Sequence, residues 1–373
     1  MRAGLWIVAV VGYVIQTKTI SHIYTDSTNK HLDALYLVFS HFLAWTLVGP
    51  LTQLFCRLKY GTTGRHGLWH RAFWAAPPRT PDLERSISGS CCSKWQLKRF
   101  LRIVVLASLL GISLYTFFVA LGLSPALDVA IIHNLSMFEI VSLLLVVAGV
   151  ASRRCLLRNF ALMLVILLGI LVVSYTKDTC DMLSGKVSIN PKTGELDDPF
   201  LFDRLKGALI CGLGSLTVGP ASVMWHNWTA TAPIESEDLT APNLNARETS
   251  YILNYEISSV GAVALLIFGP LILLSSKESS INQVAIFKSA WILISIFAGH
   301  IPMILALVHL SERVSPQFTT TCFVGSIVFV ALAEWIAESG QTIITRWEVI
   351  GYLTLSIAGL ILAYQYWSSS FKK

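Results

Sequence analysis

The chain has 373 residues, of which 54% are hydrophobic and only 13% are Asp, Glu, Lys or Arg. Soluble domains carry about 25% charged residues, so this composition excludes a soluble multidomain protein. The formal net charge of +6 does not indicate a nucleic-acid-binding protein, because membrane proteins concentrate Lys and Arg in their cytoplasmic loops. The composition is typical of a protein that crosses a membrane several times.

Apolar runs long enough to cross a bilayer recur along the whole chain. A helix of about 20 apolar residues spans the hydrocarbon core. The first run is interpreted as a membrane helix and not as a cleaved signal peptide, because only Arg2 precedes its apolar core and the run continues too far. The sequence therefore predicts an all-α polytopic membrane protein with about ten transmembrane helices. These are expected near 3–23, 33–56, 99–121, 125–150, 157–175, 205–227, 251–275, 283–309, 315–337 and 347–367.

The segments between these helices differ in charge, and the difference predicts their orientation. The loop over 57–98 is strongly basic, the segment "ASRRCLLR" after the fourth helix is also basic, and the loop over 176–203 is acid-rich. Lys and Arg gather in cytoplasmic loops, so we expect both termini in the cytoplasm and 176–203 on the lumenal or extracytoplasmic side. The acidic loop after the sixth helix is an exception, but Asp and Glu contribute little to this rule.

Two markers recur at one offset of about 190 residues. Ser124-Pro125 opens the fourth predicted helix and Ser315-Pro316 opens the ninth, while "GILVVSY" and "GLILAY" end the fifth and the tenth. This recurrence predicts two five-helix repeats, 1–175 and 204–373, although Gly and Pro are common enough in membrane helices for a coincidence. Because each repeat holds an odd number of helices, the second would be inverted relative to the first.

Three stretches carry a resemblance to a known family: "TFFVALGLSPALDVAIIHNLSMFEIVSLLL", "VSPQFTTTCFVGSIVFVALAEWIAESGQTIITRWEVIGYLTLSIAGLILAY" and the opening "YVIQTKTISHIY". They resemble the drug/metabolite transporter superfamily, nearest in its EamA-type and nucleotide-sugar-transporter-like (solute carrier thirty-five, F-type) branches, with an opening like that of fungal members. The resemblance implies alternating access around a cavity lined by the first, fourth, sixth, eighth and ninth helices.

The resemblance also implies what such a protein would act on and where. It implies a secondary transporter of a polar or anionic small-molecule substrate, with nucleotide sugars as the leading class. It implies an endomembrane location in the Golgi, endoplasmic reticulum or vacuole, contact with membrane lipids, and allows a homodimer.

Polar residues inside the predicted membrane helices are the candidate binding or coupling residues. A carboxylate at a helix centre costs about 2.5–3.5 kcal/mol on insertion scales, so such a group should face a cavity or a partner. The fourth helix carries a polar stripe of Asp128, His133, Asn134 and Glu139. The stripe either lines a cavity and supports proton coupling, or forms a seam of hydrogen bonds between helices.

Candidate partners for these carboxylates lie in other helices. Lys18 and Lys288 are cationic, but each could instead extend its ammonium group to the membrane surface. His300 precedes Pro302, which is expected to kink its helix and free backbone groups. Glu334 is expected near a membrane surface, although the resemblance places it at the family's acidic position.

The sequence contains no catalytic motif that would indicate an enzyme. It lacks a GxSxG elbow, an HExxH helix, a glycine-rich phosphate loop and a Walker lysine, so we expect no catalytic residue, metal or cofactor. An alternative to transport is a non-transporting, membrane-embedded interaction or regulatory protein. It would act through the basic loop over 57–98, whose interleaved tryptophans suit a cytosolic partner or anionic lipid.

Overall fold

The computed structural model describes residues 2–25, 30–60, 90–147, 199–229, 242–275 and 285–337, with isolated helical positions within 161–168 and 349–364. All of these residues are helical except for two short turns, so the all-α prediction is confirmed for this part of the chain. A π-helical turn, Ser295–His300, joins the seventh and eighth helices. The helices are α1 (Arg2–Thr25), α2 (Lys30–Tyr60), α3 (Ser90–Leu123), α4 (Ala126–Val147), α5 (Pro199–Thr229), α6 (Pro242–Ser275), α7 (Ala285–Ile294), α8 (Ile301–Arg313) and α9 (Pro316–Ala337).

Among the described residues, seven helices are long and apolar enough to cross a membrane. They give a multi-pass membrane protein, with large apolar side chains such as Leu213 and Leu266 exposed on the outside of the bundle, where lipid would cover them. α4 adds a shorter apolar helix, Ala126–Phe138. Most of the predicted spans at 157–175 and 347–367 lies outside the described residues, so the number ten stays a prediction. The seven spans are Ala3–Thr25, Lys30–Leu54, Leu97–Leu123, Lys206–His226, Leu253–Ile272, Ser289–Glu312 and Pro316–Ile336.

The two Ser-Pro pairs each mark a break between consecutive helices, but the first turns that follow are capped differently. Proline suits the first helical position, where no N–H bond is lost, and Pro316 begins α9. The Ser315 hydroxyl oxygen accepts a hydrogen bond from the Phe318 N–H at 3.1 Å, as an N-cap does. At the start of α4, the Leu127 N–H donates instead to the Glu334 carboxylate of α9, at 3.1 Å. A residue 207 positions away therefore completes the first turn of α4.

α1 lies inside the bundle and contacts α8, α9 and the π-helical turn. Around it, α2 packs on α6, α3 packs on α5 and α6, and α4 packs on α5 and α9. The contact of α1 with the π-helical turn is close because Gly12 and Gly299 meet there. A Cβ on Gly12 would lie 2.7 Å from the Gly299 carbonyl oxygen. Small residues allow such close backbone approach between membrane helices.

Candidate functional site: a cavity inside the helix bundle

A cavity of about 180 Å³ lies inside the bundle. Its wall is formed by α1, α2, α3, α4, α5, α8 and α9 and by the last residue of the π-helical turn. The expected set of first, fourth, sixth, eighth and ninth spans is present in this wall, and α2 and α3 complete it. The cavity extends along α8 from His300 to Ser311, which is about 16 Å at 1.5 Å of rise per residue.

The wall is mostly apolar and aromatic. Tyr13, Phe42, Trp45, Phe117 and Phe323 supply five of its rings. Among the described residues of the wall, none is an Asp, Glu, Lys or Arg. Its polar side chains are Gln16, Ser113, His133, Ser222, His300, Ser311, Thr319 and Thr320. The cavity therefore suits an uncharged ligand with few polar groups.

His300 is the polar residue of the wall with the most defined surroundings. It is fully buried, and its Nε2 accepts a hydrogen bond from the Trp45 indole N–H at 2.7 Å. Because Nε2 acts as the acceptor, the neutral ring carries its proton on Nδ1. Nδ1 has no hydrogen-bond partner among the described residues. His300 thus holds a buried donor beside the cavity.

A second buried histidine holds the His300 ring from the side. The ring of His41 lies 4.6 Å from that of His300 in an edge-on arrangement. His41 Nδ1 lies 2.6 Å from the Leu37 carbonyl oxygen, so this nitrogen is its protonated one, and its Nε2 lies 3.4 Å from the Ser295 hydroxyl. Trp45 and His41 together fix the orientation of His300.

The π-helical turn explains why His300 can reach the interior. A π-helical turn inserts an extra residue into a helix and often occurs at functional sites. Pro302 follows it directly and lacks the N–H that a continuous α-helix would use. The predicted interruption of the eighth span at this proline is therefore confirmed, and it takes the form of a widened turn.

The polar stripe of α4 divides between the cavity and a helix–helix seam. His133 lines the cavity, and its Nδ1 lies 3.1 Å from the Asn134 side-chain oxygen. Asn134 is buried and donates to the Ser326 hydroxyl of α9 at 3.0 Å, which is the seam alternative. Asp128 lies on the first turn of α4, is partly exposed and is not in the cavity wall. The side chain of Glu139 lies outside the described residues.

Lys18 and Glu334 lie away from the cavity wall and pair with each other. The Lys18 Nζ is 3.4 Å from a Glu334 carboxylate oxygen, and the side chains are 27% and 14% exposed. The same oxygen accepts the N–H of Leu127, so the pair ties α1, α4 and α9 together. The expectation that these two residues line the cavity is wrong, and Glu334 is more enclosed than an interfacial residue would be. The side chain of Lys288, on α7, lies outside the described residues.

Several residues of the site were missed from the sequence, in particular Tyr13, Gln16, His41, Trp45 and Ser326. A signal existed for one pair. His41 and Trp45 are four residues apart, a spacing that places two side chains on one face of a helix. The other three are single polar or aromatic residues within apolar runs, and no spacing distinguishes them.

The class of protein is decided by comparison with known families. A family model described as "Ceramide synthase regulator" matches residues 78–366. The chain belongs to the ceramide synthase regulator family. This member is 35% identical, over 408 aligned positions, to the mannosyl phosphorylinositol ceramide synthase regulatory protein CSG2 of Saccharomyces cerevisiae, and the match covers 96% of each chain. A solved crystal structure with 14% sequence identity superposes with a TM-score of 0.53, covering 99% of this chain and 98% of that one, and shows likeness of fold alone.

Family membership corrects the resemblance seen in the sequence. The assignment to the drug/metabolite transporter superfamily is wrong, because the ceramide synthase regulator model matches residues 78–366. The stretches behind it were helix starts and small residues, which are common in membrane helices. The comparisons support the regulatory alternative over transport, and protein partners over a small-molecule substrate. The prediction that the chain is not an enzyme is confirmed by membership in a regulator family.

Proposed function

We propose that this protein regulates, without catalysis of its own, a membrane enzyme that makes mannosyl phosphorylinositol ceramide. The observation that carries the proposal is the relation to a regulatory protein of that synthase, at 35% identity over 96% of both chains. Because the match runs over nearly the full length of both chains, it includes the helix bundle and the loops between its helices. The regulator and the enzyme would meet in an endomembrane, where we place this chain as a multi-pass protein.

The basic loop over 57–98 is our candidate for the regulatory contact. α2 continues to Tyr60 and α3 begins at Ser90, so only residues 61–89 of that loop lie between the two helices. The family match begins at residue 78, within this segment. A basic cytoplasmic segment attracts anionic headgroups and acidic protein surfaces. The lipid that the synthase makes carries a phosphate, so the loop suits either the enzyme or its lipid.

We also infer that the bundle is an inverted repeat of five plus five helices, with both termini in the cytoplasm. The packing of the described helices supports this. α3 packs on α5 as α8 packs on α1, and α4 packs on α5 as α9 packs on α1. α2 packs on α6, and α4 on α9. An exchange of α1 with α5, α2 with α6, α3 with α8 and α4 with α9 reproduces all of these pairs, as an inverted repeat would.

Expression of this chain in yeast cells that lack their own regulator tests the function. The measurement is the ratio of mannosylated to unmannosylated phosphorylinositol ceramide, together with co-purification of the synthase from detergent extracts. We expect the ratio to be restored and the synthase to be recovered. A chain that accumulates in membranes at normal levels, yet neither restores the ratio nor recovers the synthase, would contradict the proposal.

The contribution of the loop is tested by charge removal. A variant with Arg65, Arg71 and Arg79 changed to Gln keeps the length of the loop. We expect it to fold normally and to lose most of the restored ratio. An unchanged ratio would place the regulatory contact elsewhere on the bundle.

A further inference from the structure

We infer that the cavity beside His300 binds the polar part of an uncharged, ceramide-type lipid. The inference rests on the proposed function, since that function puts the protein in a membrane where such lipids are made into larger ones. It adds a ligand site to that function. The regulator would sense or hold the lipid backbone and not only contact the enzyme.

The charge of the wall selects the class of ligand. The described residues of the wall include no Lys or Arg that could neutralise a phosphate, and no carboxylate that could bind a cation. Moving an isolated charge into such surroundings is strongly unfavourable. A nucleotide sugar or an inositol phosphate headgroup is therefore a poor ligand. Ceramide has one amide and two hydroxyl groups and no charge, so its polar part can leave the membrane surface if hydrogen bonds replace water.

His300 provides a hydrogen bond that such a ligand needs. Its Nδ1 donor is buried and has no partner among the described residues, while Nε2 is occupied by Trp45. A buried donor without an acceptor is destabilising, so a ligand carbonyl oxygen that accepts from Nδ1 would bind favourably. Hydroxyl groups of Thr319 and Thr320 also line the wall. Each donates to a carbonyl of its own helix, which leaves its oxygen lone pairs for a ligand hydroxyl.

The size of the cavity fits the polar part of the lipid and not the whole molecule. A cavity of about 150 Å³ lined by apolar side chains holds a molecule of the size of benzene. At about 180 Å³, this one accommodates an amide with its neighbouring carbons. The hydrocarbon chains would continue outside the wall toward lipid. The aromatic rings of Phe42 and Phe117 would pack on the first methylene groups.

Crosslinking with a photoactivatable, alkyne-tagged ceramide tests the inference on the purified full-length protein in lipid nanodiscs. We expect crosslinks on peptides from α8 and α9, competed by unlabelled ceramide. A diacylglycerol probe of matched chain length is the second arm, because it is also neutral and carries carbonyl oxygens. Equal labelling and equal competition by diacylglycerol would overturn the assignment to ceramide-type lipids.

Variants decide whether the crosslink reports this cavity. Val218→Phe places a ring in the cavity, whereas Val263→Phe adds the same ring to a partly buried position on α6 outside the wall. We expect the first to abolish labelling and the second to preserve it, and Ala221→Leu serves as the filling variant if Val218→Phe does not fold. His300→Phe keeps a ring but removes the donor, and we expect it to weaken labelling about tenfold.

The result that would overturn the site is full labelling of a folded filling variant, or no labelling of α8 and α9 peptides in the wild type. The lipid ratio in yeast is measured for the same variants. Restoration of that ratio by a protein that does not bind ceramide would overturn the ligand inference and leave the regulatory function standing. Loss of regulation with ceramide labelling intact would do the reverse.

Discussion

Removal of the Glu334 carboxylate is expected to destabilise the bundle by roughly 2–4 kcal/mol. A hydrogen bond to a charged group contributes about 1.5–3 kcal/mol, and Glu334 accepts one from the Leu127 N–H at 3.1 Å. The ion pair with Lys18 adds about 0.5–1 kcal/mol, because both side chains keep some exposure, at 27% and 14%. Glu334→Ala loses both contributions. Glu334→Gln keeps an oxygen for the Leu127 N–H and is expected to lose about half as much.

The assay is unfolding of the purified protein in mixed micelles of increasing denaturing detergent, followed by tryptophan fluorescence. A double-mutant cycle with Lys18→Met and Glu334→Gln isolates the ion pair, and we expect a coupling of about 0.5–1 kcal/mol. Lys98→Met, at an exposed position on α3, is the matched lysine control and should not change stability. Equal losses for Glu334→Gln and Glu334→Ala, or costs that add without coupling, would refute the role assigned to this carboxylate.

Three further substitutions test the interior of the bundle by the same unfolding assay. Trp45→Phe removes the N–H that the histidine of the π-helical turn accepts at 2.7 Å, and should cost about 1–3 kcal/mol, whereas an unchanged stability would show that this bond is not formed. Gly12→Ala adds a Cβ that would lie 2.7 Å from a backbone oxygen and should cost about 1–3 kcal/mol, while Gly4→Ala, with nothing within 4 Å, should be neutral; equal effects would contradict the close helix approach. Asn134→Ala breaks the 3.0 Å bond to Ser326 and should cost about 0.6–2 kcal/mol, and no loss would argue against a seam between α4 and α9.

The membrane class and most helix positions could be predicted because they depend on local chemistry. A run of about 20 apolar residues gains free energy from lipid burial wherever its neighbours lie, so length and hydropathy are sufficient. The starts of α4 and α9 followed in the same way from the Ser-Pro pairs, since proline acts through its own backbone. Such features need no knowledge of the tertiary structure.

The cavity and the polar contacts could be predicted only in part, because they depend on which helices become neighbours. Lys18 and Glu334 were expected to face a cavity or the membrane surface, and they found each other across 316 positions of the sequence. His300 was chosen because of its proline neighbour, but its partner Trp45 lies 255 positions away. Apolar helices give little information about the direction of each face, since lipid and the protein interior are similarly apolar.

The family was misjudged for a related physical reason. Membrane helices draw on a narrow set of residues, so small-residue patterns and proline breaks recur in proteins with unrelated tasks. A fold shared with other polytopic proteins does not fix a function, which depends on the residues of the site. Here the uncharged wall around His300, and not the number of helices, distinguishes the chain from a carrier of anionic metabolites.

The long-range completion of α4 has a consequence for how the protein is made. The first turn of α4 is finished by a carboxylate that the ribosome adds 207 residues later, and the Trp6 indole waits for Thr321, 315 residues away. Early helices must therefore reside in the bilayer with unsatisfied polar groups until α9 has been inserted. Synthesis that stops before α9 leaves Lys18 without its counter-ion, and quality-control proteases recognise such exposed charge within the membrane. We expect the two halves, expressed as separate chains, to survive only when they are produced together.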